Sequence, residues 1–79
     1  MSNADILNAI AKIVEEVAGV DSSEVTTEKS LSDDLDIDSL SIVEITVAVE
    51  DRFAVSFPDG QVAELRTVGD LVSYVADHR

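Results

Sequence analysis

Residues 43–50 read "VEITVAVE", and the fold turns on how they are read. Val43, Ile45, Val47 and Val49 alternate with Glu44, Thr46, Ala48 and Glu50. That is the period of a strand, written in residues that favour strands. The same letters also fit a helix, because Ile42, Ile45, Thr46, Val49 and Phe53 share one helical face. Two features decide for the helix. Asp38 stands just before the run as a good N-cap. A lone strand would have no partner, since no other stretch alternates as well. The spacing predicts a helix over 39–53.

Outward from this helix, two more segments have helical spacing. Over 4–18, Ile6, Ile10, Ile13 and Val17 recur on one side, flanked by Leu7 and Val14, and Gly19 follows as a C-terminal cap. Over 67–77, Val68, Leu71, Val72 and Val75 form the apolar face. There Thr67 and Asp70 have the spacing of a capping box, and Gly69 costs the helix a little. Pro58, Asp59 and Gly60 make a turn, with a brief helix expected near 59–65. Residues 19–38 form a long polar connection. Such a length without regular structure is uncommon, so Val20, Val25, Leu31, Leu35 and Ile37 are expected to pin it to the core. The expected fold is all-α: one domain over 1–79, with three major helices, a short third helix and a long first loop.

A chain of 79 residues builds a thin core and has little room for a buried catalytic cavity. Its net charge of −12 imposes self-repulsion, argues against nucleic acid and favours partners with basic surfaces. There is no cysteine, so no disulfide, thiolate metal site or cysteine nucleophile is available. The one histidine, His78, is read as a frayed terminal residue rather than part of a catalytic triad. The beginning of the chain lacks the pattern of a signal peptide, and no apolar run approaches the ~20 residues of a membrane span. A cytoplasmic monomer is the expectation.

Immediately before the middle helix, Asp34, Asp36 and Asp38 fall at every second position. A calcium-binding EF-hand loop started at Asp34 would match at its first three acids. It would then need Gly where Ser39 stands and Glu where Ile45 stands. The site would not close, and no metal site is assigned. The alternative centre is Ser39, at the N-terminus of the predicted helix, where free N–H groups and the helix dipole suit a phosphate. On the same helix Leu40, Glu44, Val47 and Asp51 form a second stripe, acidic and partly apolar. Residues 30–51 hold seven acids and no Lys or Arg. Such a stripe suits a basic, partly apolar partner groove.

With these residues in place, "DDLDIDSLSIVEI" (33–45) resembles the modification site of acyl carrier proteins, whose core motif is Asp-Ser-Leu, here Asp38, Ser39 and Leu40. The resemblance runs over essentially the whole chain. It includes "VEEVAG", "KSLSDDL", "VEDRF", "FPD" and "TVGDLVSYV". The chain looks most like free-standing actinobacterial carriers of dissociated fatty-acid synthesis, and is similar to meromycolate-extension carriers. The resemblance implies a four-helix bundle and 4′-phosphopantetheine esterified to Ser39 by a phosphopantetheinyl transferase using coenzyme A. Acyl chains would ride on its thiol, and the protein would be a carrier, not an enzyme. Malonyl transferase and ketosynthases would dock through Leu40, Glu44, Val47, Glu50 and Asp51. Ile37, Ile45, Val49 and Val72 would line a cleft for the acyl chain.

The resemblance also has departures. Asp36 stands where the family often has Gly, Ser41 where many members have an acid, and Gly60 where an acid is common. The alternatives are a carrier for a type II polyketide synthase or for meromycolate extension. From another class comes an unmodified acidic adaptor or cation-binding domain.

Overall fold

The computed structural model describes residues 2–78, apart from the side chain of Asp59. Helix α1 runs Asn3–Ala18, α2 Ser39–Phe53, α3 Asp59–Val62 and α4 Val68–His78. The stretch 43–50 is helical throughout. Among the described residues there is no strand, and the only β feature is an isolated bridge between Ser30 and Thr67.

Each long helix begins where a side chain satisfies its free N–H groups. In α1 the Ser2 hydroxyl accepts from Asp5 N–H, and the Asp5 carboxylate accepts from Ser2 N–H. In α2 the Asp38 carboxylate accepts from Ser41 N–H at 2.8 Å. In α4 Thr67 and Asp70 exchange the same pair of bonds, at 3.2 and 3.1 Å. Gly19 ends α1 in the left-handed region, at φ 73°, where its N–H reaches Glu15 C=O. Ala54 ends α2 in the same region without being glycine, at φ 55°.

Helix α1 packs against both α2 and α4. Its buried stripe is Ile6, Ile10, Ala11 and Val14. The sequence pattern placed Ile6, Ile10, Ile13 and Val17 on this face with Val14 at its flank; Ile6 and Ile10 are buried, whereas Ile13 and Val17 are half-buried at the edge and Val14 is fully buried. Ile45, Thr46, Val49 and Phe53 bury the inner face of α2. Val68, Leu71, Val72, Tyr74 and Val75 bury that of α4. The Thr46 hydroxyl donates to Val43 C=O at 2.7 Å, so its polarity is satisfied within the helix.

The long connection is pinned as its apolar residues predict. Val25, Leu31, Leu35 and Ile37 are buried. It also holds a single turn of 3-10 helix, Ser22–Glu24, started by the Asp21 carboxylate accepting from Ser23 N–H. Three backbone bonds lace it to the start of α4: Leu31 N–H to Arg66 C=O, Val68 N–H to Lys29 C=O, and Gly69 N–H to Thr27 C=O. A Cβ at position 69 would stand 3.0 Å from Thr27 O, so Gly69 permits this close approach. His78 is not frayed. Its ring stacks on Tyr74 at 4.0 Å and Nδ1 lies 2.9 Å from Tyr74 O.

Candidate functional site

The alternating acids are explained by the segment that carries them. Leu35 and Ile37 turn inward and are buried, so Asp34, Asp36 and Asp38 between them turn outward. Asp34 folds back to accept Ser30 N–H at 2.8 Å, and Ile37 N–H donates to Leu31 C=O. Asp36 takes a left-handed backbone, φ 54°, which redirects the chain into α2. Aspartate tolerates this conformation better than most residues, and glycine tolerates it best. Asp38 then caps α2. Its hydrogen bonds from the backbone and hydroxyl of Ser41 hold its carboxyl below the usual range. These acids shape a turn and a cap, and among the described residues no group of three or more potential ligands converges on a metal position.

Ser39 follows as the first residue of α2, and its side chain is exposed. Beside it lies a groove of about 520 Å³, between α2 and the segment from α3 to α4. Ser39 lines one side with Ile42 and Val43, Val62, Ala63, Leu65 and Arg66 line another, and Ser30, Leu31, Ser32 and Asp33 of the long connection complete it. Ile37, Ile45, Val49 and Val72, expected to line a cleft, do not line this groove; each is 5% exposed or less, within the core. The residues that do line it were missed. Val43 had a signal, since it stands four residues from Ser39 on the same side of the helix. The far wall had none, because α3 is brought there by tertiary packing.

The outer face of α2 carries the predicted stripe. Leu40 is 69% exposed, Val47 57% and Val43 48%, which are large values for such apolar residues. Glu44 and Asp51 are exposed beside them, and with Val47, Ala48 and Glu50 they line a shallow depression. Glu50 differs. It is half-buried, and its carboxylate accepts Phe57 N–H at 2.6 Å, bracing the turn after α2.

A family model described as "Phosphopantetheine attachment site" matches residues 8–75. The acyl carrier protein of Acidothermus cellulolyticus is 52% identical over 77 residues, 98% of this chain and 92% of that one. This chain belongs to the acyl carrier protein family. The meromycolate extension acyl carrier protein of Mycolicibacterium aurum is 57% identical over 74 residues, 94% of this chain and 76% of that one. The solved acyl carrier protein of Enterococcus faecalis superposes with a TM-score of 0.82 over the full length of both chains, at 29% identity. The four-helix architecture is therefore that of an acyl carrier protein. Such a protein is a carrier, not an enzyme, and it works with the enzymes of fatty-acid synthesis. It holds 4′-phosphopantetheine covalently, which sets aside the unmodified adaptor. The site fits that group: an exposed hydroxyl stands at a helix N-terminus, beside an apolar groove.

Proposed function

We propose that Ser39 carries the prosthetic group and that the chain works as one carrier domain over 1–79. The observation that carries this reading is the position of Ser39. It is an exposed serine that opens a long capped helix, with the groove at its side. When attached, 4′-phosphopantetheine supplies a thiol on a long arm, to which acyl groups are joined as thioesters. The chain's own residues do the rest. Asp38 occupies Ser41 N–H and fixes the first turn, so the Ser39 hydroxyl is presented at a constant angle to the transferase. The remaining first-turn N–H groups and the helix dipole favour the phosphodiester that replaces that hydroxyl. Ile42, Val43, Val62 and Leu65 give an acyl chain an apolar surface that excludes water.

Docking is assigned to Leu40, Val43, Glu44, Val47 and Asp51, exposed together on α2. Their apolar and acidic mixture matches basic, partly apolar grooves on the phosphopantetheinyl transferase, malonyl transferase and ketosynthases. Short-lived complexes with many enzymes suit charge steering better than a large apolar interface. Among the described residues no helix is long and apolar enough to cross a membrane. The proposed setting is the cytoplasm, as a monomer. The cargo is a fatty-acyl chain; the likeness to meromycolate extension carriers supports that pathway as the second reading.

The test is an intact mass after incubation with coenzyme A and a broad-specificity transferase. One added phosphopantetheine on the parent and none on Ser39→Ala is expected. A modified Ser39→Ala chain would overturn the assignment.

A further inference from the structure

The groove beside Ser39 has one cationic wall residue. Arg66 lines it opposite α2, while residues 30–51, which surround Ser39 in sequence, have no Lys or Arg and seven acids. The backbone of Arg66 is held from both sides. Its C=O accepts Leu31 N–H at 2.9 Å, and its N–H donates to the Asp70 carboxylate at 3.0 Å. Its side chain is exposed at the rim. A guanidinium thus stands on a fixed anchor beside the one place where this carrier acquires a new anion.

We propose that Arg66 is a positioning residue for the prosthetic arm: it pairs with the phosphodiester on Ser39 and leans the arm over the Ile42–Val43–Leu65 groove. The inference rests on the assignment of Ser39. A phosphodiester near Asp36, Asp38 and Glu44 is repelled by them, which drives the arm outward. A cation across the groove opposes that repulsion and favours the inward position. Arg suits the role because its planar fork meets two phosphate oxygens together. Two anions compete for it: Asp33, which lines the same groove, and Asp70, four residues on. The Asp70 carboxylate accepts the N–H groups of Arg66 and Thr67 at the same time, so the guanidinium is not its main partner. The pairing sets how the arm divides its time between shelter and presentation, and salt or a basic partner surface shifts that balance.

The test uses holo-protein charged with an octanoyl group, as parent, Arg66→Gln and Arg66→Lys. Intact mass, with Ser39→Ala alongside, first locates the arm; an arm on another residue overturns both assignments. With the arm on Ser39, two readouts decide on Arg66 alone. The phosphorus-31 resonance of the parent should move with added sodium chloride, as the pair is screened. That response should vanish in Arg66→Gln and persist, reduced, in Arg66→Lys. Cleavage of the thioester by hydroxylamine should be about two- to fivefold faster in Arg66→Gln at low salt, the scale of an exposed ion pair, with partial rescue by Lys. A purely structural role would lower the thermal midpoint of Arg66→Gln without changing the salt response of the resonance. Equal salt responses and equal cleavage rates in parent and Arg66→Gln would overturn the proposal.

Discussion

At Gly69 and Ala54 the backbone asks for opposite changes. Gly69 lies in α4 with Thr27 O where a Cβ would press on it at 3.0 Å, and that oxygen is backbone held by the Gly69 N–H itself. Gly69→Ala therefore gains helix propensity but must push the connection off α4. A net loss of about 1–2 kcal/mol is expected, within the range for overpacking. Ala54 stands at φ 55° with its side chain exposed, so its Cβ adds strain and buries nothing. Ala54→Gly should gain about 0.5–1 kcal/mol, less the entropy glycine adds to the unfolded chain. Chemical denaturation of the two variants checks both signs. A stabilised Gly69→Ala or a destabilised Ala54→Gly would contradict these readings. Neither effect was legible in the sequence. The pattern at 67–77 shows Gly69 only as a weak helix former, and nothing in "DRFAVSF" marks Ala54 as left-handed.

At the scale of elements, the caps are what the sequence made legible. Asp38, Thr67 with Asp70, and Gly19 each act within a few residues, so their spacing alone carries the information. Asp38 settled the reading of 43–50 for the same reason. Contacts closed by tertiary packing were not legible. The Glu50 carboxylate reaches Phe57 N–H seven residues on, across a turn whose path depends on where α3 lies. The residues expected to line an acyl cleft, Ile37, Ile45, Val49 and Val72, lie in the core and not along the groove beside Ser39. Helical periodicity finds the face of α2 with Ile42, Ile45 and Val49, but not the flank at Val43 that looks toward the α3 segment. The α4 cap has a pH signature. N–H groups of Arg66 and Thr67 pull the Asp70 carboxyl below its ordinary 3.8. A depressed folded value means that the contribution is fully present above about pH 3.8 and is lost as pH falls through the folded value. Asp70→Asn should thus be less stable than the parent by about 0.5 kcal/mol at pH 7, a typical helix-terminus charge effect. Paired denaturation curves should converge as pH falls below 3.8 and through the folded value. A gap that stayed constant down to pH 2 would assign the effect to packing instead.

Over the whole molecule the charge is uneven as well as large, and this links stability to docking. The net charge is −12, and seven of the acids fall within residues 30–51, around Ser39 and along the outer face of α2. Like charges spread over a radius of gyration of 11.0 Å lie near one Debye length apart at about 0.1 M salt, so screening relieves their repulsion. The same field draws basic partners toward α2 and is screened by the same ions. Glu44→Lys tests the two consequences together. Glu44 is exposed between Leu40 and Val47, and among the described residues no side-chain bond of its own supports the helix, so the fold should survive. The reversal changes the net charge from −12 to −10, so stability at low salt should hold or rise slightly. Docking should respond oppositely. A lysine facing a basic groove replaces attraction with repulsion, and kcat/KM for malonyl transfer to the holo-protein should fall about tenfold at low salt. The difference from the parent should shrink as salt rises, because it arises in steering rather than in buried contacts. An undiminished rate at low salt would remove Glu44 from the docking surface. A loss that persisted at high salt would move its role from long-range attraction to direct contact.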